Sequence, residues 1–369
     1  MNTLPTPLKF VRSASALAIA ALGLVATSAW SQTSTYTSNG CTLTYDPALQ
    51  AFVPDPSCSS SGRNAAIAAF LQANPITPVL IQGQITTLSY MVNGRNRGAP
   101  SSARAGLTGQ TGLAGAAGDS RWSGWAALSA NSVGYNFAPL SSSGNATNLL
   151  AGVDYLFVGG AVAGVAVGSD SSKTTTNFNN GSVNTSGYTL SPYFMVPLGA
   201  NWSVDGSLGF GSGNISTNIG GGVNGNTTDQ RTFGALALTY ATTLANWQVQ
   251  STGSLLTSSS KVNQLTLSNA AVIAGSTSGV TQMRAGARGY YGSGQFVPFV
   301  GLTYSQDLAR NDVQPIAGQT AANARGAFIA LAGVGINQGQ QVSGSVQVTS
   351  EIRNQVRNNG ILGTLSLKF

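Results

Sequence analysis

From Arg121 to the C-terminus, apolar residues alternate with small or polar ones in runs of about ten, separated by Gly, Ser, Asn and Asp. Alternation at period two builds strands with two unlike faces, and it recurs too often here for a helical or mixed fold. In one run Val342, Gly344, Val346, Val348 and Ile352 oppose Ser343, Ser345, Gln347, Thr349, Glu351 and Arg353. In the last, Ile361, Gly363, Leu365, Leu367 and Phe369 oppose Thr364, Ser366 and Lys368. A soluble sandwich also alternates, so composition has to decide which face meets what. Only 7% of the 369 residues are charged, while 42% are hydrophobic and Gly contributes 47. A soluble domain carries about 25% charged residues, mostly on its wet faces. Here the polar faces are small and neutral, which suits a sheet that turns its apolar side to lipid and encloses water.

The connections carry a second rhythm. Twelve strands are expected near 121–137, 146–157, 160–169, 187–198, 202–212, 230–243, 247–258, 279–292, 296–306, 325–337, 341–353 and 361–369. Tight turns at 158–159, 199–201, 245–246, 293–295 and 338–340 alternate with long polar connections such as 170–186, 212–229 and 259–278. Short inner turns alternating with longer outer loops are the habit of outer-membrane barrels. In lipid an open sheet edge leaves amides unpaired, so the sheet must close. The expectation is an all-β fold, an antiparallel transmembrane β-barrel of about twelve strands at 121–369, in the outer membrane of a Gram-negative bacterium. Trp202 and Trp247, each following an Ala-Asn turn, are placed at the inner lipid boundary as aromatic anchors. By pleat parity Asp154, Asp205, Arg231, Arg284, Arg288, Glu351, Arg353 and Lys368 face the lumen. There they either pair across the wall and grip what fills it, or line a conduction path.

Residues 1–31 read as a secretory leader for the Sec export pathway: Lys9 and Arg12 precede an Ala/Leu-rich stretch, and Ala29-Trp30-Ser31 offers a cleavage site. Residues 32–76 form an irregular segment, with a short helix at 63–73. Its Cys41 and Cys58, the only cysteines, are expected to pair in an exported chain. Thr77-Pro78 is a helix start, and Ile81, Ile85, Leu88 and Val92 then recur on one stripe. The residues leave open whether this helix at 77–96 sits in the lumen, on the barrel mouth or in the periplasm. Residues 97–120 are a Gly/Ala/Ser linker.

The chain has no histidine and one glutamate, so Ser-His-Asp and Cys-His nucleophiles and most zinc sites are excluded. No enzyme activity, cofactor or metal is expected. Lys and Arg exceed Asp and Glu by seven but are scattered, without the cluster that nucleic acid requires.

Five stretches resemble the C-terminal translocator domain of autotransporters (type V secretion). They are Arg121-Trp122-Ser123-Gly124-Trp125, Ala151-Gly152-Val153-Asp154-Tyr155, residues Gly187 to Phe194 running into Leu198-Gly199-Ala200-Asn201-Trp202, residues Phe296 to Tyr304, and the terminal Phe369. The resemblance implies a monomeric twelve-stranded barrel with one helix in its lumen. It also implies that Phe369 is the signal read by the barrel-insertion machinery. The chain departs from the family in offering fewer than a hundred residues, 32–120, where a passenger would stand. Three roles remain open on this reading: a translocator displaying its own N-terminal segment, a helix-plugged pore or structural barrel, and an adhesin acting through its outer loops.

Overall fold

The computed structural model describes residues 35–38, 41–46, 51–59, 83–85, 87–88, 91, 121–135, 142–176, 181–220, 222–292, 295–310, 325–338, 342–353 and 356–369. The leader, the 63–73 helix and the 97–120 linker lie outside them, as does most of 77–96.

Three short strands, β1 (Thr35–Ser38), β2 (Cys41–Asp46) and β3 (Ala51–Pro54), form an antiparallel sheet in that order. The Cys41–Cys58 disulfide, with Cα atoms 5.1 Å apart, staples the start of β2 to the chain just beyond β3. Next to it the Asp55 carboxylate accepts bonds from the Ser57 hydroxyl and amide, which hold its pKa below the ordinary aspartate value.

The rest is a closed barrel. In chain order its strands are β4 (Trp122–Tyr135), β5 (Ser142–Leu156), β6 (Val162–Thr176), β7 (Gly181–Pro197), β8 (Trp202–Asn218), β9 (Asn224–Leu244) and β10 (Trp247–Val262). After a small hairpin, β11 (Leu265–Leu267) and β12 (Val272–Ile273), come β13 (Ser276–Tyr291), β14 (Phe296–Arg310), β15 (Gly326–Gln338), β16 (Val342–Arg353) and β17 (Val356–Lys368). Each barrel strand pairs antiparallel with its neighbour, and β17 pairs with β4 over Lys368↔Ser123 to Val356↔Tyr135, so the twelve-stranded ring has no edge. Closure satisfies the backbone where lipid would offer no partner.

The faces fall as the alternation predicts. Leu128, Leu149, Leu190, Phe210, Leu236, Leu302, Val348 and Leu365 are exposed on the outside, while Ser129, Asn148, Ser203, Thr239, Gln250 and Gln347 are buried on the inside. A band of exposed aliphatics around a polar interior is stable only with lipid outside.

The strands run further than the hydrophobic pattern suggested. They span 12 to 21 residues, more than the roughly 9–11 that cross a bilayer. The stretches 170–186 and 212–229, expected as long loops, are largely paired strand: Asp170 faces Gly187, Thr176 faces Gly181, and Asn218 faces Asn224. Likewise β17 begins at Val356 and not near 361. Beyond the lipid the wall keeps its ladder with Ser, Thr and Asn on both faces, so the apolar signal fades while the strand continues. Among the described connections, the excursion after β10 builds something of its own. There Leu265, Leu267, Ile273 and Ile219 bury one another, and β11 pairs back on β9.

Candidate functional site

Among the described residues, charge, burial and a foreign element meet in the lumen. Gly83, Gln84, Ile85, Thr87, Leu88 and Met91 are helical, and Thr87 returns a bond to the Gly83 carbonyl at 2.9 Å. Ile85, Leu88 and Met91 share an apolar cluster with the wall residues Trp125, Leu150, Tyr193, Met195, Phe233 and Leu362. Gln84, 1% exposed, donates to Asp170 Oδ2 at 3.2 Å and accepts from Thr189 Oγ1 at 3.2 Å. An amide buried in a lumen must be satisfied in this way, because an unpartnered one costs about 1–3 kcal/mol.

Asp170 can serve Gln84 because Arg231 holds it. Arg231 Nη1 lies 2.7 Å from Asp170, and its Nε lies 2.7 Å from Asp229 Oδ2. Ser260 donates to the same Asp229 oxygen at 3.1 Å. The register explains the reach: Asp170, Gly187, Gly213 and Asp229 are successive partners across β6, β7, β8 and β9. The guanidinium lies over the two glycines. A Cβ at Gly213 would stand 2.2 Å from Arg231 Nη2, and one at Gly187 would stand 2.7 Å from Nη1. Two bare positions therefore form the trough that lets one cation join carboxylates three strands apart.

A second network occupies the opposite wall. Arg353 pairs with Asp307 and, at 3.4 Å, with Glu351, while Arg310 approaches Asp307 at 3.5 Å. Gln282 donates to Asp307 at 2.6 Å and accepts from Arg284 Nε at 2.6 Å. Near the inner rim, Trp125 donates to Tyr193, Tyr193 to Asp154 Oδ2 at 2.9 Å, and Ser123 to Asp154 Oδ1 at 3.1 Å. Arg288 sits 5.9 Å from the Phe299 ring centroid and donates to Tyr290 at 3.5 Å. Among the described residues the inward charge is segregated: Asp154, Asp170, Asp205 and Asp229 lie on β5–β9, where the inward cation is Arg231. Arg284, Arg288, Arg310, Arg353 and Lys368 lie on β13–β17 against Asp307 and Glu351. A cavity of about 90 Å³ separates Gly83 and Thr87 from Arg284, Gln347 and Glu351.

Of the residues the sequence nominated, Arg231 joins the first network, Arg284, Glu351 and Arg353 the second, and Asp154 and Arg288 the groups near the inner rim. Asp205 is buried and Lys368 half-buried on the same inward parity. The partners Asp170, Asp229, Asp307, Gln84 and Tyr193 were not nominated. Asp170 and Asp229 fell in stretches read as loop, and Asp307 lies just past the expected end of its strand. There β14 slips register against β13, so that Asp307 opposes Gln282 and Ala309 opposes Thr281. The Thr-rich run through 170–176, of residues that suit a pleated strand, was the signal available.

At the inner rim Trp202 packs on Tyr240 with ring centroids 4.9 Å apart, Trp247 on Tyr291 at 5.1 Å, and Trp122 on Tyr155 at 5.1 Å. Exposed cross-strand aromatic pairs are what an interfacial girdle is built from. Phe369 is exposed beside them, and its amide donates to the Trp122 carbonyl at 3.2 Å.

A closed, edge-free barrel with a lipid-facing apolar band and a polar lumen defines the class as an integral outer-membrane β-barrel. A sequence model described as the autotransporter β-domain matches residues 123–349, and the chain belongs to that family. Its fold is similar to the translocator domain of the autotransporter NalP from Neisseria meningitidis, at TM-score 0.63 and 13% identity, over 81% of this chain and 99% of that one. It is also similar to the β-domain of the Bordetella autotransporter BrkA, at TM-score 0.58 and 16% identity, over 68% of this chain and all of that one. No curated protein matches the chain by sequence. The family places the protein in the outer membrane of a Gram-negative bacterium, as a single-chain barrel delivered by the insertion machinery.

Proposed function

We propose that this barrel carries its own N-terminal segment to the cell surface and holds it there by the lumen helix. The observation that carries the reading is the bond from Gln84 to Asp170. Asp170 stands in the outer half of β6, whose inner end is the tight turn before Val162. From Met91 the chain must return to Trp122, which opens β4 at the inner rim. On this reading the disulfide-stapled β1–β3 unit, N-terminal to Gly83, is carried to the outer mouth. Export by the Sec pathway and insertion into lipid precede this step. Arg231, Asp170 and Asp229 act as the grip, and the pairing of Arg353 with Asp307 offsets part of the positive charge on the opposite wall. Trp202 and Trp247 anchor the inner boundary, and Phe369 presents the insertion signal.

The test is topological. Intact cells are reduced briefly and treated with a membrane-impermeant maleimide, and then Cys41 and Cys58 are assayed. Labelling in intact cells supports display. Labelling only after the outer membrane is permeabilised overturns it and leaves a helix-plugged barrel with a periplasmic appendage.

A further inference from the structure

A groove of about 720 Å³ opens on the lipid-facing side of the wall, across β15, β16, β17, β4 and β5. Its floor is made of small side chains, Ala330 and Ala332 on β15 and Ala130 on β4, with Val348 and Ile361 between them. Toward the outer end the floor gives way to a continuous polar row. Ser350, Asn359, Ser132 and Asn145 are successive register partners on β16, β17, β4 and β5, and Ser350 donates to Asn359 at 2.8 Å.

The outer lipid boundary passes through this row. It is marked on one side by the exposed Tyr304–Phe328 pair, with ring centroids 5.2 Å apart, and on the other by Tyr188, 68% exposed. Among the described side chains, no aromatic faces lipid at this level between them. Two cations stand near the row instead, one on β6 and one on β17. Lys173 pairs in register with Asn145, and Arg357 stands one pleat beyond Asn359. Both are exposed, and among the described residues neither is within ion-pair distance of an acid.

We infer that this groove binds a phosphorylated, multiply acylated glycolipid of the outer leaflet, of the lipid A class. The assignment goes beyond the display reading and does not depend on it. In the band, small side chains leave room that only acyl chains can fill. At the boundary, hydroxyl and amide groups spread over four strands, roughly 14 Å at about 4.8 Å per strand. That is broader than one phosphodiester needs and suits a phosphorylated disaccharide. Lys173, on the strand past one end of the row, and Arg357, one pleat beyond its β17 member, stand three strands apart and provide charge for two phosphates of such a headgroup. The groove lies at the end of the long connections, which is the leaflet where such lipids reside.

The experiment uses the full mature chain, refolded in detergent and mixed with hexa-acylated, bis-phosphorylated lipid A, with bound lipid counted by native mass spectrometry. One lipid A per barrel is expected to be retained. Retention should fall at least tenfold in K173Q/R357Q and in the groove-filling Ala332→Phe, both of which leave lumen and backbone untouched and should keep the compact, heat-modifiable gel mobility. Equal retention by wild type and both variants overturns the site. Equal retention of phosphatidylglycerol overturns the glycolipid assignment, and displacement by millimolar inorganic pyrophosphate overturns the role of the acyl groove.

Discussion

Arg231 is 1% exposed and makes its two ion pairs where water cannot compensate a missing partner. Such pairs contribute little net stability over an apolar replacement, but removing one member strands the other, at a cost of about 3–5 kcal/mol. Here it strands two. Arg231→Met should therefore lower the urea midpoint of the refolded barrel, followed by tryptophan fluorescence, by that order of energy. The triple replacement with Asp170→Asn and Asp229→Asn should recover most of the loss. If the single variant unfolds like wild type, the trough holds no ion pair of consequence. Arg231 was legible from pleat parity alone. The two aspartates were not, because the row Asp170–Gly187–Gly213–Asp229 exists only once β6 to β9 are paired. Nothing in the spacing of those four residues along the chain announces it.

At the scale of elements, the strands inside lipid and those outside it obey different constraints. Within the band each strand must show apolar residues to one side, so the period is visible and the twelve runs could be counted. Beyond the band, Ser, Thr and Asn satisfy both faces, and the ladder itself maintains the strand. The excursion after β10 is the exception: it folds by burying Leu265, Leu267 and Ile273 against Ile219. Leu265→Asp should open it, so that protease added to intact cells cuts within 263–275. Resistance of the barrel strands to the same protease should stay unchanged. Loss of the whole barrel would mean that this outer cluster is part of the folding core and not a satellite of it. The helix shows the reverse case. Its apolar stripe was readable at Ile85 and Leu88, but a stripe does not say which surface it meets. The contacts with Trp125, Tyr193 and Leu362 say that it meets the lumen wall.

For the whole molecule, the terminal Phe369 is bonded to the Trp122 carbonyl where the ring closes. Deleting it should reduce the amount of heat-modifiable barrel in outer-membrane fractions several-fold while leaving total synthesis unchanged, as immunoblots of boiled and unboiled samples would show. Equal amounts would remove its role in insertion. The amino-acid sequence by itself determined that this is a two-faced sheet closed in lipid and how many strands it has. Those properties follow from local alternation and from the low dielectric of the bilayer, which every residue along a strand meets directly. The tertiary structure decided where the strands end, which acid neutralises which base, and what the helix touches. Those depend on neighbours brought together across strands by register, and register is set by the closure of the barrel as a whole.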